Sequence, residues 1–405
     1  MKILKNKNFM LLWLAQTISK LGTRLYDIAL MWYIYQKTGS SFALGLSVLC
    51  FTVPSVLVAP LAGVFADRLD KKKIIINTDL LNGVIMIVFS YLIFANNYPL
   101  YIQYIFIIFS TIVSSVFDPA ISSAIPVIVE EKDLKDANTL NQTTSQIINI
   151  LGPVLSGILI AFMNMWLLFF INGLSFLICA FTESFITIPK ISAENSSKKI
   201  SSQFKEGLTY VIKDKFLFYL ILTGGVIINF FLAPLSIYET ILANKVFNVG
   251  STGYGMMNSA ISVGALIGGL LIMANVFTDK YKMAVVGLCL EGIPVAILGF
   301  IPNYYVALLS EAFLGFGIAM ASVGISTLYQ TLIPKDKMGR VMALTGSLAT
   351  VTVPIGTLAG SAIIQCMPLS IVLIISGIFI FISAILLIPL FRVKNERTNL
   401  SSSIS

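Results

Sequence analysis

The sequence predicts an all-α membrane protein with twelve transmembrane helices. The chain has 405 residues, of which 57% are hydrophobic and 11% are charged, and its mean hydropathy is +0.90. A water-soluble domain of this length cannot bury so much apolar surface. Apolar runs bounded by charges or turn residues predict twelve spans, at residues 9–35, 42–66, 74–95, 99–125, 137–163, 165–188, 216–243, 252–277, 283–301, 304–331, 339–365 and 368–391.

The distribution of cations predicts the orientation of these spans. Of the 27 Lys and Arg residues, 23 fall in segments on one side, and the loops on the other side hold only Lys37 and Lys245. Because an excess of cations marks the cytoplasmic side, we expect a multi-pass protein of the cell membrane with both termini in the cytoplasm. The net charge of +8 is therefore a topology signal, and we predict no nucleic-acid partner.

The sequence gives no indication of an enzyme, a cofactor or a metal site. It contains 0 His residues, which excludes His-based catalysis and the commonest zinc ligand. It lacks the glycine-rich phosphate loop of one large class of ATPases. Three of its four Cys residues fall within predicted spans, so we expect no disulfide framework.

The first span carries polar residues in a helical pattern. Gln16, Lys20, Arg24 and Asp27 follow one another at intervals of four, four and three residues, which places them on one stripe. A charge facing lipid costs several kcal/mol, so we expect this stripe to face a water-filled cavity. The alternative is an internally neutralised pair of Arg24 and Asp27 that only packs helices together.

A polar, serine-rich stretch after the sixth span predicts two six-helix pseudo-symmetric halves. We expect an N-terminal half at 1–190, a cytoplasmic linker at 191–215, a C-terminal half at 216–391 and a disordered tail at 392–405. An internal repeat supports this division, because an offset of 201 residues aligns Pro153 with Pro354.

Two short motifs lie at positions where helices must approach closely. The segment 63–73 combines Gly63, Asp67 and Arg68 with three lysines between two apolar runs. Lysines at a membrane edge are commonly orientation signals only, whereas Asp67 can face the positive end of another helix. On the fifth span, Gly152, Pro153 and Gly157 predict a kinked and tightly packed segment.

With these motifs the whole chain resembles the major facilitator superfamily, in its macrolide-efflux and enterobactin-exporter-like branch. The residues that carry the resemblance are 38–40, the 63–73 segment, Phe117 to Ala120, and 339–347. The resemblance implies the superfamily fold and a latch formed by Gly63, Asp67 and Arg68 with Gly339 and Arg340. It also implies that Gly152, Pro153 and Gly157 form part of an antiporter signature.

The resemblance implies a proton-coupled exporter of a small amphipathic compound (drug, macrolide-like or siderophore-like) that works by alternating access. Asp27 and Glu311 are the expected proton-coupling residues. The expected cavity residues are Gln16, Lys20, Arg24, Asn229 and Glu239. One departure is that Ser110 occupies the place where related drug antiporters carry an Arg on the fourth span.

Four other intramembrane acids, Asp79, Asp118, Glu183 and Glu291, are interpreted as members of structural ion pairs. The expected partners of the protein are a small-molecule substrate, protons and the lipid bilayer, and we expect a monomer. Two alternatives stay open at this point. One is an ion-coupled importer of a nutrient with the same fold, and the other is a non-transporting membrane receptor.

Overall fold

The computed structural model describes residues 3, 6–68, 70–96, 98–130, 133–188, 209–333 and 335–388. Within these ranges, the side chains at 59–68, 135, 335–337, 339, 340 and 343 are outside the description. The described residues are mostly helical. The helices are α1 (Lys7–Thr38), α2 (Ser41–Arg68), α3 (Lys71–Ala95), α4 (Leu100–Ser114), α5 (Phe117–Ile128), α6 (Leu134–Phe162), α7 (Met165–Ser184), α8 (Lys215–Ile221), α9 (Ile228–Leu232), α10 (Leu235–Ile241), α11 (Gly250–Met273), α12 (Lys280–Phe300), α13 (Tyr304–Leu332), α14 (Lys335–Cys366) and α15 (Leu369–Leu386).

The chain is a multi-pass membrane protein. Eleven stretches of the described chain are long and apolar enough to cross a membrane. The predicted first span, α1, is 32 residues long but is not among the eleven, and it carries Lys20, Arg24 and Asp27 in its middle. With α1 included, the predicted count of twelve spans agrees with the structure.

The fourth span consists of two helices, α4 and α5, separated by a turn at Ser115 and Val116. Pro119 lies inside the first turn of α5. A proline ring clashes with the carbonyl group four residues earlier, which here belongs to Ser115. The helix is therefore interrupted before the proline rather than at it.

The seventh span, Lys215–Val246, contains two π-helical segments that the sequence pattern did not predict. These segments are Leu222–Ile227 and Leu242–Val246, and they flank α9 and α10. The Asn229 amide donates to the carbonyl oxygens of Gly225 and Gly224, at 3.0 and 3.4 Å. Single π-helical turns inside α-helices are frequent at functional sites.

The connection between α2 and α3 is shorter than the predicted 63–73 loop. Helix α2 continues to Arg68 and α3 begins at Lys71. Asp70 ends the connection as the N-cap of α3, since its carboxylate accepts from the backbone N–H groups of Lys72 and Lys73. Asp279 caps α12 in the same way.

The contacts divide the chain into two compact units. The first comprises residues 1–195 and 249–259, and the second comprises 196–248 and 260–405. Buried side chains of α1, α3 and α5, such as Leu12, Ile75 and Ile121, form a core in the first unit. A larger core in the second unit includes residues from α8, α12, α13, α14 and α15.

The predicted boundaries of the halves remain predictions. The tail at 392–405 and most of the linker, at 191–208, lie outside the described residues.

Candidate functional site

A polar cavity of about 370 Å³ lies within the first unit. Its wall carries five charged side chains, those of Lys20, Arg24, Asp27, Asp79 and Asp118. Amide and hydroxyl groups from α1, α3, α4 and α6 complete much of the remaining wall. Two cations and three carboxylates therefore surround one space that can hold water or a polar ligand.

A second cavity of about 300 Å³ lies beside the first one and shares part of its wall. Asp27, Ser114 and Asp118 line both cavities. The wall of the second cavity also includes the apolar side chains of Phe51 and Met86. Together the two cavities offer charged groups beside apolar ones, which is a surface suited to an amphipathic molecule.

The structure brings three of the four stripe residues of α1 to the first cavity. Lys20 Nζ donates to Ser145 Oγ of α6 at 3.4 Å, and Arg24 and Asp27 lie on the same wall. Gln16 is buried, with 4% of its surface exposed, and is not on the wall of either cavity. Its predicted role in the cavity therefore has no geometric support in the first unit.

Arg24 connects the α1 stripe with the predicted signature on α6. A Cβ atom on Gly152 would lie 2.8 Å from Arg24 Cγ, so the glycine leaves room for the arginine side chain. Arg24 Nε is buried and has no hydrogen-bond partner. Arg24 and Asp27 line the same cavity wall, and the charge of Arg24 acts on Asp27 there.

Gly157 of the predicted signature lies against the first turn of α11, within the first unit. Ser251 Oγ donates to the Gly157 carbonyl oxygen at 2.9 Å. A Cβ atom on Gly157 would be 2.5 Å from the Ser251 carbonyl oxygen. Pro153 lies inside α6, which continues through it from Leu134 to Phe162.

The second unit places two of the predicted site residues together. Glu311 of α13 is fully buried and Glu239 of α10 is 2% exposed. The two carboxyl groups act on each other electrostatically, and both carboxylate oxygens of Glu311 are buried without a hydrogen-bond partner. Asn229 lies on α9 in the same unit, where its amide binds the backbone as described above, and its contact with a substrate stays a prediction.

The prediction of structural ion pairs is wrong for Glu183 and unsupported for the other three acids. Both carboxylate oxygens of Glu183 are buried without a hydrogen-bond partner, as is one oxygen each of Asp79 and Glu291. Asp79 and Asp118 line the charged cavity instead. Helix packing buries the carboxyl groups of Asp79, Glu183 and Glu291, whereas Asp118 is exposed.

Two lysines of the segment 63–73 bind backbone carbonyl groups of neighbouring helices. Lys71 Nζ donates to the Ser123 carbonyl oxygen at 3.3 Å, and Lys72 Nζ donates to the Ser184 carbonyl oxygen at 2.7 Å. Ser184 is the last residue of α7, where the helix dipole favours the positive charge of Lys72, whereas Ser123 lies in the middle of α5. The side chains of the predicted latch, Gly63, Asp67, Arg68, Gly339 and Arg340, lie outside the described part of the chain.

Sequence reasoning missed the contribution of α3 and α7 to the cavities. Asp79 and Asn82 of α3 line the first cavity, and Asn172 of α7 lines the second. A signal was present, because the polar residues of both helices recur at intervals of three, four, seven or eight residues.

The profile of the family described as transmembrane secretion effector matches residues 2–404. The chain belongs to this family of the major facilitator superfamily. This membership confirms the resemblance inferred from the sequence motifs, and the protein is a membrane transporter rather than an enzyme.

The relatives of this transporter include macrolide efflux proteins. Macrolide efflux protein A of Streptococcus pyogenes is 25% identical over 353 residues, which cover 86% of this chain and 87% of the relative. The protein of the same name from Enterococcus faecalis is 25% identical over 323 residues, which cover 78% of this chain and 99% of the relative. A putative bacilysin exporter of Bacillus amyloliquefaciens is 24% identical over 81% of this chain and 82% of its own length.

Solved structures of other transporters share the fold. The nucleoside transporter NupG matches with a TM-score of 0.76 at 12% identity, covering 95% of this chain and 99% of that one. A bacterial homologue of the iron transporter ferroportin matches with a TM-score of 0.72 at 18% identity, covering 96% and 99%. At these identities the likeness establishes the major facilitator fold alone.

Proposed function

We propose that this transporter exports a small amphipathic compound in exchange for protons, by alternating access. The observation that carries the proposal is the cavity in the first unit, where Lys20, Arg24, Asp27, Asp79 and Asp118 surround one space. Charged groups inside a membrane protein are costly, and they are characteristic of substrate and proton pathways.

The relatives support export and suggest the first compounds to test. Two of them are named for macrolide efflux and a third for bacilysin export. A macrolide combines a large apolar ring with polar and ionisable groups. The charged wall of the first cavity and the apolar groups of the second, such as Phe51 and Met86, would suit such a molecule.

Asp27 and Glu311 are the proposed coupling residues. Asp27 lies on the cavity wall beside Arg24, and Glu311 is buried beside Glu239. Two neighbouring carboxyl groups repel each other when both are ionised, so such a pair favours binding a proton. Lys20 and Arg24 are proposed to balance the charge of Asp27 or to bind an anionic group of the substrate.

The proton gradient supplies enough free energy for accumulation. A proton that moves inward contributes about 2.3 kcal/mol per 100 mV of membrane potential. Each unit of pH difference adds about 1.4 kcal/mol. Since about 1.4 kcal/mol corresponds to a tenfold change in an equilibrium constant, one proton can concentrate a neutral substrate roughly tens- to hundreds-fold.

The test is a comparison of drug susceptibility and accumulation in an efflux-deficient host. Expression of the chain should reduce the accumulation of a macrolide such as erythromycin, and a protonophore should restore it. The Glu311→Gln variant, expressed at the same level, serves as the control for coupled transport. Greater accumulation on expression would indicate the importer alternative, and an unchanged level for every compound tested would favour the receptor.

The remaining parts of the proposal concern assembly and topology. We propose a monomer with both termini in the cytoplasm, as the distribution of cations predicts. We also propose that Asp67 and Gly339 belong to the conformational latch that the family resemblance implies. Cysteine accessibility at either terminus in inverted and right-side-out vesicles tests the orientation.

A further inference from the structure

Helices α3 and α7 pack side by side in antiparallel directions, and each carries a row of buried polar side chains. On α7 these side chains contact α1, since Cys179 binds the Ala15 carbonyl oxygen and Asn172 lies against Gly22. Lys72 bonds to the last residue of α7, while Ser90 Oγ donates to the carbonyl oxygen of Trp166 at its start, at 2.6 Å. Between these contacts the polar residues of both helices recur with helical spacing. We call the two rows together the polar seam; it comprises Asp79, Asn82, Ser90, Asn172, Ser175, Cys179 and Glu183.

Glu183 is the most isolated acid of the polar seam. Only 1% of its surface is exposed, and neither of its carboxylate oxygens has a hydrogen-bond partner. The neighbouring Cys179 thiol donates to the Ala15 carbonyl oxygen at 3.0 Å and not to the glutamate. Lys72 binds the Ser184 carbonyl oxygen, so its ammonium group is held by the end of the helix.

Asp79 connects this buried acid with the polar cavity. It is also 1% exposed, its Oδ2 atom has no hydrogen-bond partner, and the residue lies on the cavity wall. The charge of Asp79 acts on Glu183, and both acids act on Cys179 between them. The three side chains thus lead from the cavity to the place where α1, α3 and α7 meet.

The groups that face Asp79 from other helices carry both signs of charge. The polar neighbours on α4 are the uncharged residues Ser110 and Ser114. The Ser110 hydroxyl donates to Asn82 Oδ1, and Asn82 Nδ2 donates to Ser114 Oγ. Helix α6 contributes the neutral Asn149 and Ser145. The charged groups across the cavity are Lys20, Arg24 and Asp27 of α1 and Asp118 of α5.

If both carboxylates were ionised here, they would be desolvated and would repel each other. Both oxygens of Glu183 and the Oδ2 atom of Asp79 would also have no hydrogen-bond donor. That is the least favourable of the possible protonation states. We propose that Asp79 and Glu183 form a proton-binding pair, in which a proton reaches Glu183 from the polar cavity by way of Asp79.

The position of the pair suggests how a ligand would control it. A positive group that enters the cavity beside Asp79 favours the ionised form of that carboxyl group, and therefore the release of the proton. A positive group of the substrate and a proton would then compete for the carboxyl group of Asp79. This role in the transport cycle rests on the proposed function, whereas proton binding by the pair does not.

The first test measures protonation directly, without any substrate. Purified full-length protein in lipid nanodiscs is compared by infrared difference spectroscopy between about pH 5 and about pH 9, a range that covers shifted carboxyl groups. We expect the wild type to gain a carboxylic-acid C=O band at the lower pH. Glu183→Gln and Asp79→Asn should each remove or shift that band.

A buried acid outside the polar seam provides the control. Glu291→Gln, on α12 in the second unit, should leave the band of the pair in place. Thermal melting identifies a variant that fails to fold, and the other variant of the pair then decides the test.

Three results would overturn the proposal. They are an identical band in both folded variants, a band that is equally strong at the two pH values, and a band that responds to sodium at constant pH but not to pH itself.

The second test concerns coupling. Erythromycin uptake into inverted vesicles is measured with and without an imposed pH gradient. Glu183→Gln should lose the acceleration by the gradient while keeping downhill exchange, and full acceleration would contradict a role in coupling. If the wild type does not transport erythromycin at all, the proposed function fails for macrolides, and the infrared result still decides whether the pair binds a proton.

Discussion

The contact between α6 and the start of α11 gives the sharpest prediction about packing. Gly157 accepts a hydrogen bond from Ser251 Oγ at 2.9 Å, and Thr252 Oγ1 donates to the same carbonyl oxygen at 3.4 Å. A methyl group at position 157 would lie 2.5 Å from the Ser251 carbonyl oxygen and 2.9 Å from Thr252 Cα. Both of these atoms belong to the backbone, so a rotamer change cannot relieve the clash.

The magnitude follows from this geometry. In Gly157→Ala the separation from the Ser251 oxygen must widen by about 0.9 Å before it reaches the 3.4 Å of ordinary van der Waals contact. Forcing an extra methyl group into a packed interface costs about 1–3 kcal/mol. The widening also stretches the two hydrogen bonds to Gly157, each worth about 0.5–1.5 kcal/mol. Together these terms cost about 2–6 kcal/mol, and the better helix propensity of alanine offsets about 1 kcal/mol, so we expect a net loss of about 1–5 kcal/mol.

The assay is the thermal melting of the purified protein in detergent, followed by transport at equal expression. The matched control is Gly269→Ala on α11, because a methyl group there meets no atom within 4 Å. Alanine is about 1 kcal/mol better than glycine inside a helix, so the control should be neutral or slightly stabilising. Equal melting temperatures for Gly157→Ala, Gly269→Ala and the wild type would contradict a close backbone contact at Gly157.

The remaining predictions concern transport. Asp27→Asn and Glu311→Gln should each abolish pH-driven antiport in proteoliposomes while retaining downhill exchange, because they remove a titratable group and keep its shape; protonophore-sensitive accumulation by both variants would place coupling elsewhere. Lys20→Gln should shift the substrate range away from acids if Lys20 binds an anionic group, as a panel of acidic and neutral compounds would show; an unchanged range with weakened coupling would indicate charge balance instead. Asp67→Asn should slow transport at equal membrane expression if it belongs to the latch, and wild-type flux would argue against this. Lys72→Ala is the control, since it loses only the exposed hydrogen bond to Ser184, and we expect a small effect on flux.

The sequence alone determined the membrane-spanning architecture of this protein. Its hydrophobic runs have the length that a bilayer requires, and length and hydropathy are properties of contiguous residues. The charged stripe on α1 was also predictable, because the helical period places Lys20, Arg24 and Asp27 on one face. The motifs at 63–73 and 339–347 identified the superfamily for the same local reason.

Only the tertiary structure decided which polar groups meet. Asp79 and Glu183 are separated by 104 residues, and the antiparallel register of α3 and α7 brings them together. The space for Arg24 beside Gly152 and the approach of Glu239 to Glu311 likewise depend on how separate helices pack. The π-helical segments of the seventh span could not be predicted from the sequence either. Their backbone hydrogen bonds span five residues instead of four, and this difference leaves the hydrophobic pattern nearly unchanged. Hydropathy predicts that a residue enters the membrane, but the contacts of that residue depend on the rotation and register of its helix against its neighbours.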